Sequence, residues 1–299
     1  MPSRAKDRST GALVRWIFAL ALVAVAAACS SVRVGYNSAD TLLLYTFDRY
    51  FDLDAPQQTL LREKIRALVA WHRATQLRGY ADLLEAASRQ VEGHIAADDV
   101  LAFNLEMNRR LVLIGDHAAP GLATLALSLE PFQVERFATK LADDDAKMRR
   151  EVSASDGRPS LERREKHGVE RAEEWFGSVS PQQLALIRQA LATRPDSDEW
   201  WQYEREQRRS DLLHLVQQIQ FERPSIEEGA RRLRDYFAHL AEPADAERRA
   251  RMAEYRRGNA ELIAALINAA SAEQKATLLK KLRGYADDCL TLAASAARG

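Results

Sequence analysis

The sequence predicts an all-α protein, a multi-helix bundle of long amphipathic helices that follows a cleaved signal peptide. Three observations carry this. Apolar residues recur at spacings of three and four along most of the chain, as they do on one face of a helix. Glycine and proline are sparse, 13 and 9 in 299 residues, too few for a strand-and-turn architecture. A single helix-start layout also recurs four times downstream of an export-type N-terminus.

At that N-terminus, Arg4, Lys6, Arg8 and Arg15 precede an uncharged run from Trp16 to Ala28, thirteen residues of mostly Ala, Leu and Val. A bilayer crossing takes about 20 such residues. The shorter run suits the apolar region of a signal peptide, with Ala26, Ala27 and Ala28 as its small-residue cleavage context. Cys29 follows directly. The segment resembles the lipobox of bacterial lipoproteins, with Ala26 where Leu is more usual. That resemblance implies cleavage before Cys29 and a diacylglyceryl plus N-acyl lipid (palmitate-type chains) on it, with no other cofactor. Each buried methylene contributes about 0.8 kcal/mol, so several acyl chains on one cysteine tie a protein firmly to a bilayer. Ser30 and Ser31 differ from the Asp that marks inner-membrane retention, so the resemblance places the protein on the outer membrane, facing the periplasm. The expected organisation is a signal peptide over 1–28, a lipidated tether over 29–37 and a helical periplasmic domain over 38–299. A subdivision is expected near 156–159.

The formal charge of +0 includes four basic and one acidic residue in the first 28, so the mature chain is slightly acidic. That balance is a poor electrostatic match to nucleic acid or anionic lipid, and no single-sign field points to either. Only one other cysteine, Cys289, is present. It lies in line with Leu278, Leu282, Tyr285 and Leu292 on an apolar stripe, which makes it a core thiol rather than a reactive one.

The first helix is expected near Ser38, rich in aromatics through Tyr45, Phe47, Tyr50 and Phe51, and packed rather than lying at the membrane interface. Four helix starts then share one layout: Leu53-Asp54-Ala55-Pro56-Gln57, Leu129-Glu130-Pro131-Phe132-Gln133, Val179-Ser180-Pro181-Gln182-Gln183 and Ala270-Ser271-Ala272-Glu273-Gln274. An apolar residue precedes a cap whose oxygen takes an orphan N–H, and the Gln three positions on reaches back to the cap's own N–H. Glu130, longer than the preferred residues, is an imperfect cap. Ser225 to Glu228 adds a start with Glu in the Gln role, and Asp98 is expected to cap another helix. Helical stretches are expected around 98–128, 131–152, 160–176, 181–193, 197–221, 225–240, 244–269 and 272–296. Breaks are expected at Pro120-Gly121, Asp156 to Pro159, Arg194-Pro195 and Pro243. The hexapeptide Leu77-Arg78-Gly79-Tyr80-Ala81-Asp82 returns as Leu282-Arg283-Gly284-Tyr285-Ala286-Asp287, which suggests two antiparallel neighbours approaching closely at Gly.

The stretches from Cys29 to Leu43 and Asp48 to Leu53, with Trp175-Phe176-Gly177 leading into the Gln183 start, resemble a proteobacterial lipoprotein family known as domain of unknown function 6279. The resemblance implies a helical envelope lipoprotein and carries no activity or site residues. The apolar-cap-x-x-Gln starts are also similar, more loosely, to the motif of small periplasmic chaperones of the Spy type, which have Leu-Thr in the first two positions.

The histidines at 72, 94, 117, 167, 214 and 239 form no zinc pattern, and no nucleophile elbow or phosphate-cradling loop is present. Asp211 with His214 and Asp235 with His239 are helical neighbours within hydrogen-bonding range. The strongest candidate surface is Trp200, Trp201, Tyr203, Arg205 and Arg208, aromatics and arginines of the kind that recognise peptide, glycan or lipid headgroups. The competing reading is a helix that shifts from rim into core, with arginine stems covering apolar area. The sequence therefore points to a non-enzymatic envelope lipoprotein, a binding, chaperone-like or scaffold module. Its expected partners are the lipid bilayer through Cys29 and an envelope protein or unfolded client. The alternative is an enzyme acting on cell-wall or lipid substrates through an unrecognised site.

Overall fold

The structure is a computed structural model that describes residues 32–154, 160–194 and 197–296. Cys29, the signal segment and the expected subdivision near 156–159 lie outside the described residues. Those described form helices joined by short turns, with no strand among them. In chain order the helices are α1 (Ala39–Phe51), α2 (Ala55–Thr75), α3 (Leu77–Val91), α4 (Ala97–Ser128), α5 (Pro131–Ala154) and α6 (Ser160–Phe176). They continue as α7 (Pro181–Ala192), α8 (Ser197–Glu222), α9 (Ile226–Ala241), α10 (Ala246–Asn268) and α11 (Ala272–Ala296).

Three expectations are corrected. Residues 32–37, read as a tether, are helical and docked. Arg33 Nε lies 2.9 Å from Asp288 Oδ1, and the Tyr36 hydroxyl lies 2.8 Å from His72 Nδ1. The expected break at Pro120-Gly121 is absent, because the proline ring sits on the exposed side of an uninterrupted α4. Losing one N–H there leaves no orphan in the core. Asp98 lies within the first turn instead of capping it, and Asp99 accepts from Ala96 N at 2.9 Å.

Helix α4 is the spine. Its 32 residues span about 48 Å, and it packs against α2, α8, α9 and α10. Near its start lies a core of Val91, Ile95, Phe176, Ile187, Ile267 and Leu282, from α3, the connection into α4, α6, α7, α10 and α11. Near its end lies a second, built from Phe51, Leu61, Ile65, Leu125, Leu129, Phe137 and Val216. Between α4 and α9 the approach is close. A Cβ on Gly115 would sit 2.5 Å from the Phe237 ring, and one on Gly229 would sit 3.2 Å from Ala123 Cβ.

The four Gln starts hold these two cores. Near the end of α4, Gln57 and Gln133 exchange amide bonds at 2.9 and 2.7 Å, and their remaining donors reach Ser128 O at 2.7 Å and Asp52 O at 3.0 Å. Their Oε1 atoms also accept from Asp54 N and Glu130 N, so both buried amides satisfy all four hydrogen-bonding positions. Near the start of α4, Gln274 Nε2 donates to Gln183 Oε1 at 2.8 Å, and Gln183 Nε2 donates to Leu266 O at 3.1 Å. Asp54, Ser180 and Ser271 each take the backbone N–H of their Gln. Glu130 does not; Gln133 N bonds to its carbonyl. Ser225 caps α9 through Glu228 N, but the Glu228 carboxylate turns to Arg231 and Arg232 instead of closing a box.

The duplicated hexapeptides lie on α3 and α11, which pack extensively and run antiparallel: Leu77 meets Leu292, and Val91 meets Leu282. Ala81 and Ala286 are the small residues buried there. Gly79 serves a different contact, since a Cβ on it would strike the Arg110 guanidinium of α4.

Candidate binding surface

The candidate cluster at the start of α8 divides in two. Trp200 is 8% exposed and Trp201 half-buried, and both pack on Tyr255 of α10 at ring separations of 5.9 and 4.9 Å. One turn on, Glu204 is fully buried. It accepts from Arg208 Nε at 2.8 Å and from Arg248 at 3.0 and 3.1 Å. Burial opposes its charge, yet the bonds from Arg248 and Arg208 hold its carboxyl below the usual range. Trp200, Glu204, Arg208 and Asp211 follow spacings of 4, 4 and 3, so one stripe of α8 faces α10. Only Tyr203 and Arg205 face solvent. The five residues are thus no single recognition surface. Trp200, Trp201 and Arg208 form an interior knot that joins α8 to α10. The signal for Glu204 was present, a Glu four residues before an Arg on a Trp-bearing stripe.

A different concavity lies where α4 meets the corner between α9 and α10. It is an open trough of about 590 Å³, within the size range of small-molecule sites. Its α4 wall is a single stripe of Leu105, Asn108, Arg109, Val112 and Leu113, with Leu105 61% and Leu113 46% exposed. The facing wall runs from Ala238 and His239 to Pro243 and Ala244. Arg249 and Arg256 of α10 also line it. They serve the last carbonyl of α9 and those of the turn that follows: Arg256 Nη2 donates to Ala241 O, and Arg249 Nη1 donates to Pro243 O at 2.9 Å and Ala244 O at 3.0 Å. Neither has a carboxylate ion-pair partner among the described residues. Burial, reinforced by Arg208, pulls the Arg256 pKa below its ordinary value, and Glu242 only partly opposes this.

A family model described as a family of unknown function (DUF6279) matches residues 49–239, more than half of the chain. The chain belongs to the DUF6279 family. No curated protein and no solved structure matches it. The DUF6279 match begins inside α1 and ends inside α9, so it holds the α8 cluster and the α4 wall of the trough. Arg249, Arg256 and the Gln274 partner of Gln183 lie beyond it.

Elsewhere in this DUF6279 chain, Cys289 is half-buried against Leu77 and Tyr80, and burial pushes its thiol pKa up. That is the opposite of the activation a nucleophilic cysteine needs. The two Asp–His pairs do not form. Asp235 bonds to Arg231 at 2.8 Å, and Asp211 lies 3.9 Å from Arg248. No group of three or more His, Cys, Asp or Glu among the described residues is placed to hold a metal.

Proposed function

We propose that this protein is a lipid-anchored envelope protein whose helical body is a non-enzymatic binding module, chaperone-like or scaffolding. One observation supports the binding role above others. The spine helix α4 keeps Leu105, Leu111 and Leu113 at 61%, 59% and 46% exposure, although the same helix organises the cores on either side. Leu105 and Leu113 line the open trough and Leu111 stands outside its lining; large exposed apolar side chains gathered on one helix are what a partner covers. The basic start, the short apolar run and Cys29 support the anchor. The chaperone-like part of the reading rests on the looser likeness of the Gln starts to the Spy-type motif, from which the second position departs.

The test has two arms. Cys29→Ser, expressed in full length, should lose fatty-acid labelling and fail to mature. Unchanged labelling and processing removes the anchor. A photo-crosslinking residue at Leu111 should capture envelope proteins in cells, while the same probe at exposed Glu254 should not. Equal recovery at both positions removes the binding role.

A further inference from the structure

We propose that the trough between α4 and the α9–α10 corner binds a long-chain fatty acid, with its tail along Leu105, Val112 and Leu113 and its carboxylate at Arg249 and Arg256. The inference rests on the binding-module reading above and names its ligand; it does not depend on the anchor. Three features decide the chemistry. On the α4 stripe, Leu105, Val112 and Leu113 offer apolar surface over two helical turns, about 12 Å, with Asn108 and Arg109 between them. The cations differ on the two walls: Arg109 on the α4 side pairs with Glu106 at 3.2 Å, whereas Arg249 and Arg256 are fixed by the carbonyls of Ala241, Pro243 and Ala244, each through one terminal nitrogen, which leaves further N–H donors and two positive charges with no carboxylate among the described residues within ion-pair distance. The only carboxylate in the lining is Glu242.

An extended peptide is a poorer fit. The walls are helices and a turn whose Ala241, Pro243 and Ala244 carbonyls Arg249 and Arg256 already take, so they present no strand edge to satisfy a peptide's N–H and C=O groups. An acyl chain has no such groups to satisfy.

The full-length chain carrying Cys29→Ser, so that no acyl group of its own competes, is incubated with diazirine-bearing palmitate or the matching fatty alcohol below their critical micelle concentrations. After illumination, adducts are mapped by mass spectrometry. Palmitate is expected to label peptides containing residues 105–113 and 238–244 at least tenfold more than the alcohol. Arg249→Gln with Arg256→Gln keeps an amide donor at each position but removes the charge, and should bring palmitate down to the alcohol level. Leu113→Asp, at a half-exposed position, should abolish labelling by both while circular dichroism stays unchanged. Equal labelling by acid and alcohol, adducts spread over exposed residues such as Phe221, or displacement by an apolar peptide carboxylate but not by unlabelled palmitate overturns the proposal. Failure here with capture of envelope proteins at Leu111 intact refutes the ligand alone; failure of both refutes the binding reading.

Discussion

Gln57 and Gln133, 76 residues apart in sequence, face each other in the core and trade amide hydrogen bonds at 2.9 and 2.7 Å. Each glutamine also closes the start of its own helix and takes a carbonyl from a neighbouring turn. A local capping device thereby becomes a tertiary clamp, which fixes the entry of α2 against that of α5. Gln183 and Gln274 join α7 to α11 in the same manner, with one direct amide bond.

Replacing either partner of the first pair should be costly, because the other is left buried with an open donor and acceptor. Each such group costs about 1–3 kcal/mol. Gln133→Ala is expected to lower unfolding free energy by about 3 kcal/mol in urea titration. A double-mutant cycle with Gln57→Ala should return a coupling energy above about 1 kcal/mol. Additive losses would show that the two amides act independently.

Glu204 predicts a contrast within a single helix. Glu204→Gln withdraws the carboxylate that two half-buried arginines share, and breaking a buried ion pair on one side costs about 3 kcal/mol or more. Arg205→Ala, on the exposed side next door, should stay within about 0.5 kcal/mol of the parent. Urea midpoints for the two variants, compared at one pH, check this.

Gly115 tests how tightly α4 and α9 are matched. Alanine favours a helix over glycine by about 1 kcal/mol, but its Cβ would meet the Phe237 ring at 2.5 Å, and overpacking costs about 1–3 kcal/mol. Gly115→Ala should therefore reduce the melting temperature. Gly35→Ala, with nothing within 4 Å of its Cβ, should not.

Acid should loosen the docked N-terminal segment. Burial holds the His72 pKa below its ordinary value, while Tyr36 engages its Nδ1. The unfolded chain then takes up the proton first. Stability is complete above the unfolded value of about 6.5 and falls as pH drops from there through the folded value. Chemical denaturation at about pH 7.5 and pH 5 should show this loss in the parent and a smaller one in His72→Gln. Identical slopes would remove His72 as the responsible group.

Much of the helical pattern was legible because its causes are local. The Asp54-Pro56-Gln57 and Ser180-Pro181-Gln183 starts were readable from short spacing, and both form as expected. Pro120 misled because a proline's penalty depends on whether its missing N–H and its ring face the core, which spacing does not report. The α8 cluster misled for a related reason. Aromatic and arginine side chains serve a surface or an interior equally well, and the choice fell to Tyr255 and Arg248, about fifty residues downstream.

The sequence by itself determined the all-helical class and most helix starts, since periodicity and caps act over a few residues. Only the tertiary structure decided that Gln57 finds Gln133 and Gln183 finds Gln274, that Glu204 is buried, and that an arginine-edged trough opens beside α4. Those features exist only once distant helices have packed, because the burial of one side chain is set by which others arrive to cover it.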